Sequence, residues 1–561
     1  MTAAVLAAAF LAAAPLPDDR LAVLAAMEAE LRRSMERLRL DGYEAPYFLA
    51  YQVKDQRLEV VAARSGALLE DDGRHTRKLL VDLRVGSYEQ DSSGREDGAM
   101  FMAPEGQTWF ASKDAPIEDH PAALRNALWL LTDEKYKEAL AAWFKRKGRG
   151  VYRADDPERP ASFSREEPQR HVDPTLPFSL ERRRWRAEAK GLSALFRGHP
   201  AIFDATVRVT ADRVRRWFVS SEGAALVTEE ALYGVHVQAA ARAVDGQLLE
   251  GTRDFYARGE AGLPAPDRLR GEVLALVAEL EALRTAPVAD PYSGPVLLAP
   301  EATGVLFHEA VGHRLEGERQ EDDKEGQTFK GQVGRPVLPP FLSIVDDPTL
   351  RRSGGADLNG AYHFDDQGVP ARRTVLVEDG VLRTFLLSRR PVKGFARSNG
   401  HGRSQAVQPP VARMGNLLVA STRTASLPEL RRMLVEEGRR QGKTHVLVIR
   451  DISGGNTNTA SWGYQAFKGT PRLVQRIEVA TGKEELVRGV ELVGTPLSSV
   501  NRLVATSEET RVFNGYCGAE SGFVPVSTVA PWALVSEMEL QRVARANERS
   551  PLLPAPWNEG R

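Results

Sequence analysis

The sequence predicts an α+β protein in two parts. Residues 21–287 are expected to form a mixed helix and antiparallel-sheet domain, and residues 293–548 a β-rich, barrel-like or curved-sheet domain carrying one metal-binding helix. Three observations lead there. The first half alternates helical apolar stripes with strand-like alternation. Residues 285–294 hold Pro287 and Pro291 and little periodicity, as a boundary should. Beyond them, short β-branched runs separated by glycine turns dominate.

The chain has 561 residues, ample for several cores, and a formal net charge of −1. That balance offers nothing to nucleic acid or to an anionic membrane as a partner. A single cysteine, Cys517, excludes an intrachain disulfide and leaves the redox compartment open.

Taken in order, residues 3–14 are an apolar, alanine-rich run. It is too short to span a bilayer, which needs about 20 residues. It has the length and small-residue end of a signal-peptide core, although no Lys or Arg precedes it. Residues 1–20 are therefore expected to be a signal peptide or a tail. The protein is then periplasmic or secreted if the run is a signal, and cytoplasmic otherwise. No other stretch is expected to cross a membrane.

Residues 21–40 predict an amphipathic helix with Leu24, Met27, Leu31, Met35 and Leu38 on one face, ended by Asp41-Gly42. A strand over 46–63 follows, then a turn at Asp71-Asp72-Gly73. Leu79, Val81, Leu83 and Val85 alternate as a half-buried strand. Residues 87–115 and 151–177 are expected to be loops, and 121–131 and 134–144 two helices. Residues 180–196 form a very basic helix, expected to expose its charged face to solvent rather than to nucleic acid. A strand meander over 201–255 turns at Glu222-Gly223 and Asp245-Gly246, and a helix over 267–283 closes the half.

In the second half, strands are expected over 341–346, 374–377, 381–387, 444–450, 472–479 and 485–492. Asp379-Gly380 and Gly482-Lys483 are placed as hairpin turns, and residues 428–441 as a helix. Residues 317–336, charged and glycine-rich, are expected to be a flap or an exposed loop.

The chemistry centres on residues 295–320. Val296, Leu297 and Leu298 read as a buried strand, and Pro300 and Glu301 open a helix with an apolar set at Val305, Leu306, Ala310 and Val311. On it lie His308, Glu309 and His313, an H-E-x-x-x-H. Metallohydrolases place two imidazole ligands and a carboxylate base on one element in this way. The usual H-E-x-x-H separates its histidines by about 40° around a helix, whereas this spacing separates them by about 140°. The helix must end or bulge between them for both to reach one metal, and Gly312 is the residue expected to permit it. Catalytic zinc takes three protein ligands and leaves one position for water. Cys517, His401, His363, Glu316 and Asp365 are candidates for the third. Gly515 and Gly518 flank Cys517 and allow close backbone approach, and a thiolate suits zinc. Glu309 is expected to act as general base toward a water activated by the metal. Tyr362, His363 and Arg373 are candidates to stabilise the oxyanion.

HEAVGHRLEG resembles the metal-binding segment of TldD-type peptidases of the TldD/PmbA family. Residues 364–374, FDDQGVPARRT, resemble the family's D-D-x-G-x-P-x-x-R-T segment, and residues 515–540 its G-x-C-G-x-x-G-x-x-V-P-V segment. The resemblance covers roughly residues 295–545. It implies a zinc peptidase with His308, His313 and Cys517 as ligands and assembly with a second TldD/PmbA-type subunit; a β-rich domain with its site beside sheet edges is expected to take unfolded or extended peptides as an added strand. The PmbA side of the family resembles the fold but lacks the metal motif, so a non-catalytic partner subunit is the alternative; the presence of His308, Glu309, His313 and Cys517 favours the enzyme. A zinc hydrolase of non-peptide amides is a third reading, because water activation is the same for any amide.

Overall fold

The computed structural model describes residues 18–93, 113–150, 160–322, 324–405, 407–460, 467–494 and 496–543, with a few residues beyond. The signal-like run lies outside the described residues. The chain is a mixed α+β, strand-rich protein built on two large sheets.

The first sheet pairs strands Ala67–Val85, Pro46–Arg64, Ile202–Ser220 and Ala225–Arg242 antiparallel, with Leu248–Ala257 and the short Arg170–Val172 both on Ala225–Arg242. Helices Asp19–Arg37 and Pro121–Gly150 bury Met27, Leu31, Leu128 and Leu131 against Leu49, Tyr51, Val53 and Trp217. Helices Arg182–Leu195 and Pro266–Thr285 cover Val61, Val207 and Val235 with Trp185, Ala189, Val273 and Leu276.

Three expectations for this half are corrected. The first turn is Ser65-Gly66, both at positive φ, and Asp71-Asp72-Gly73 lies inside the strand Ala67–Val85. The strand continues there because Arg182 and Arg186 neutralise Asp71. The two helices over 121–144 are one, Pro121–Gly150, since Thr132 gives its hydroxyl to the Leu128 carbonyl at 2.6 Å rather than capping a new start. Of the loop over 151–177, residues 151–159 lie outside the described residues, and residues 170–172 form a parallel strand.

The second sheet has eleven strands. Its hydrogen-bonding path runs Gly522–Arg542, Val490–Gly494, Phe467–Glu478, His445–Thr457 and Tyr292–Leu298, then returns to Gly522–Arg542. Helix Pro300–Ala310 packs Ala302, Val305, Leu306 and Phe307 among Val296, Leu298, Ile449, Ala533 and Val535. The long hairpin Leu503–Ala519 with Gly522–Arg542 was not expected. The strand expected over 381–387 is reduced to Val381–Leu382, and Arg488-Gly489 splits the one over 485–492. Within residues 317–336, expected to be a flap or an exposed loop, Gly317, Arg319, Gln320 and Phe329 are buried.

The halves meet through Asp366. Its carboxylate takes an ion pair from Lys54 at 2.7 Å and one from Arg216 at 2.8 Å. Burial opposes this charge, but the two cations outweigh it and hold the carboxyl far below the usual range.

Candidate metal centre

The helix Pro300–Ala310 starts where proline at its first position favours it, and it ends between the two histidines. Val311 caps it at φ −118° and ψ −53°, and a 3₁₀ turn, Gly312–Leu315, takes over. The change of winding swings His313 back toward His308, and their ring centres lie 5.0 Å apart. Gly312 is not at positive φ, so the conformational role expected for it is corrected. Its need is steric: a Cβ there would lie 2.2 Å from Met414 Sδ.

Cys517 reaches the same point from the strand Leu503–Ala519. His308 Nε2 lies 3.2 Å from its Sγ and His313 Nε2 lies 3.3 Å from it. Tetrahedral zinc, with Zn–S about 2.3 Å and Zn–N about 2.0–2.1 Å, sets sulfur–nitrogen distances at about 3.5 Å. The donors converge with nearly that spacing, and two imidazoles with one thiolate suit zinc chemically. The three residues therefore fit such an ion.

The electrostatics agree with a thiolate. Burial would push the Cys517 thiol up, but the imidazoles of His313 and His308 outweigh it and hold it well below its ordinary value. Burial likewise works against the His313 imidazolium, yet Cys517 and Glu316 raise it well above its ordinary value. Glu309 is 9% exposed, its Oε2 4.0 Å from His313 Nε2. Burial raises its carboxyl, partly offset by the two imidazoles. Gly455 of the strand His445–Thr457 lies over it, where a Cβ would stand 2.8 Å from Glu309 Cγ.

The other candidates are engaged elsewhere. His401 is fully buried, with Nε2 3.2 Å from Asp346 and Nδ1 2.9 Å from the Asn399 side chain. Asp365 accepts the backbone N–H groups of Gln367, Val369 and Gly402 in a turn. Tyr362 donates to the Gly400 carbonyl, Arg373 is exposed, and His363 faces Asp173. Glu316 does not join the triad but supports it: Oε1 lies 3.1 Å from His313 Nδ1. Arg319 binds its other oxygen at 2.7 Å, and Arg413 lies 3.6 Å away. Burial would raise the Glu316 carboxyl, but His313 and the arginines bring it down to about 2. Arg413 also donates to the carbonyls of Cys517 and Gly522, at 2.7 and 3.0 Å, clasping the hairpin tip. The sequence singles out neither arginine. The one signal is a charge between Val411, Ala412 and Met414, in an otherwise apolar run.

Comparison with known proteins places this arrangement. Residues 291–542 match the family described as the PmbA/TldA metallopeptidase C-terminal domain. A metalloprotease of Archaeoglobus fulgidus is 35% identical over 238 residues, 42% of this chain and 50% of that protein. A zinc metalloprotease TldD homologue of Saccharolobus solfataricus is 26% identical over 263 residues, 46% of this chain and 53% of the other. The chain spans about half the length of the curated relatives it matches. TldE from Thermococcus kodakarensis shares the fold at a TM-score of 0.60 and 15% identity, covering 92% of this chain and 100% of the other. Helix, hairpin and ligand-like triad all lie within residues 291–542, the segment that matches the PmbA/TldA metallopeptidase C-terminal domain family.

Proposed function

We propose that this protein is a zinc-dependent peptidase of unfolded or extended polypeptides, with His308, His313 and Cys517 as ligands and Glu309 as general base. The observation that carries the reading is the convergence of His308 Nε2 and His313 Nε2 on Cys517 Sγ, at 3.2 and 3.3 Å, beside a buried carboxylate. Zinc held there supplies a Lewis acid that makes water nucleophilic at neutral pH and polarises the scissile carbonyl. Glu309 takes the proton from the attacking water and returns it to the leaving amine, so that the C–N bond breaks to give acid and amine. Its raised carboxyl pKa suits a group that accepts and then releases a proton. Glu316 fixes His313 with Nε2 toward the thiolate.

In this reading residues 21–287 and 293–548 are the two domains, and the returning strand path is a small barrel around the helix. A second TldD/PmbA-type subunit is the proposed partner, and residues 1–20 a signal for export. Glu309→Gln is the test. It is expected to keep stoichiometric zinc and lose about 10²–10⁴ in turnover of denatured protein. Peptidase activity at the wild-type rate in that variant, or a wild-type chain free of zinc after zinc reconstitution, refutes the assignment. The second result makes the chain a non-catalytic subunit.

A further inference from the structure

His363, unused at the triad, belongs to a second group with the same geometry. Asp173 follows the edge strand Arg170–Val172 in the first half, and its Oδ1 receives two imidazoles. His171 Nε2 lies 2.7 Å from that oxygen and His363 Nδ1 lies 2.8 Å from it. The ring centres are 5.9 Å apart and nearly perpendicular, at 86°. At the triad, likewise, two perpendicular imidazoles point one nitrogen each at a single anionic atom. Asp173 is held from behind: its Oδ2 accepts the Glu229 N–H at 3.0 Å, and its own N–H binds the Val227 carbonyl at 2.8 Å. The carboxylate is 5% exposed, while both imidazoles reach the surface.

We propose that His171, Asp173 and His363 form a second divalent-metal site, of zinc type, that ties the two halves of the chain together. Two imidazoles and one carboxylate are a donor set that zinc accepts, with solvent in the open position. Ligand atoms on tetrahedral zinc lie about 3.4 Å apart. The two short contacts must therefore open by about half an ångström, which exposed rings on a fixed carboxylate can do. Arg351 sets the competition. Its Nη2 lies 2.6 Å from His363 Nε2, so in the ion-free state Nε2 accepts and Nδ1–H donates to Asp173. Metal on Nδ1 moves the imidazole proton to Nε2, where it faces the guanidinium. Arg351 must then turn away, and it is exposed and able to. The site is thus weaker than the triad by construction, and its occupancy tracks free zinc.

Equilibrium dialysis of the full-length chain against zinc alone tests the proposal, with circular dichroism to verify folding. The wild type is expected to take up two equivalents, and His171→Ala/His363→Ala one. Cys517→Ala is expected to keep one equivalent, which separates this site from the triad whatever the triad binds. Arg351→Ala should tighten the weaker equivalent several-fold. Zinc should raise the thermal midpoint of Cys517→Ala and leave that of the triple variant His171→Ala/His363→Ala/Cys517→Ala unchanged. Failure of Cys517→Ala to bind zinc, or equal binding by the triple variant, overturns the proposal. Weaker binding in Arg351→Ala also counts against it, since the arginine would then be helping the ion.

Discussion

Gly312→Ala probes how the two histidines are brought together. An added Cβ would lie 2.2 Å from Met414 Sδ, 3.1 Å from Met414 Cε and 3.5 Å from Leu417 Cδ2. Carbon and sulfur normally approach no closer than about 3.5–4.0 Å, so the thioether must retreat by about 1.5 Å. Methionine is flexible, but Met414 is 1% exposed and Leu417 is fully buried, so the retreat displaces other core atoms. Overpacking of this kind costs about 1–3 kcal/mol. The alternative is for the 3₁₀ turn to shift, which moves His313, the next residue, out of line with Cys517. Either way, urea unfolding of the C-terminal half should weaken by about 1–3 kcal/mol, and zinc affinity should fall at least tenfold. A second substitution identifies the cause. Met414→Ala alone should cost about 2–5 kcal/mol through the cavity it leaves. Combined with Gly312→Ala, the two costs should fall short of their sum by about 1–3 kcal/mol, since each removes the other's problem. A Gly312→Ala protein within about 0.5 kcal/mol of wild type with full zinc affinity refutes the steric reading, as does strict additivity.

Other outcomes follow from single groups. Glu316→Gln removes the charge that orients His313 and balances Arg319, and should lower zinc affinity by about 10–100-fold, read by competition with a chelating dye. Asp212 lines a cleft of about 440 Å³ between the halves, where burial raises its carboxyl from 3.8 to about 6. A raised carboxyl destabilises the fold progressively as pH climbs through that range, by up to about 3 kcal/mol above it. Asp212→Asn should therefore stabilise the protein at pH 7 but not at pH 4, and equal effects at both would reject this. If residues 3–14 are a signal core, intact-mass measurement on protein from native cells should find a terminus beyond them, and an unprocessed cytosolic chain ends that idea.

The site was more legible than the scaffold, for physical reasons. If His308 and His313 hold one metal, their spacing requires the helix to break before His313, and the helix does end at Ala310. Cys517 was picked out by its flanking Gly515 and Gly518, while the hairpin that carries it was not expected. The turn at Ser65-Gly66 was hidden because serine at φ +48° is rare, while Asp71-Asp72-Gly73 imitates a turn unless Arg182 and Arg186 are known to lie opposite. The hairpin from Leu503 was obscured by residues 507–511, where pairing is irregular between Thr506 and Thr510 and charges interrupt the alternation. The Asp365-Asp366 pair reads as chemistry in sequence but serves structure, one carboxylate closing a turn and the other joining the halves. Sequence spacing cannot tell these uses apart, since only the partners differ.

Glu316 and the arginines around it explain how the triad holds its shape before any ion arrives. Three like-positioned donors would otherwise repel or scatter. Here Cys517 Sγ lies 3.3 Å from His313 Nε2, and His313 Nδ1 has Glu316 behind it at 3.1 Å, so the neighbours favour a thiolate facing an imidazolium. Arg319 and Arg413 keep Glu316 ionised, and Arg413 also grips the Cys517 carbonyl. The chain of alternating charges therefore fixes both the ring and the strand that must meet. If a dication binds at the triad, it would take the place of a proton on His313 Nε2, with Glu316 as the acceptor for Nδ1–H. Binding there is expected to be proton-coupled: an ion competes with protons for His313 and Cys517, so affinity should fall as pH drops.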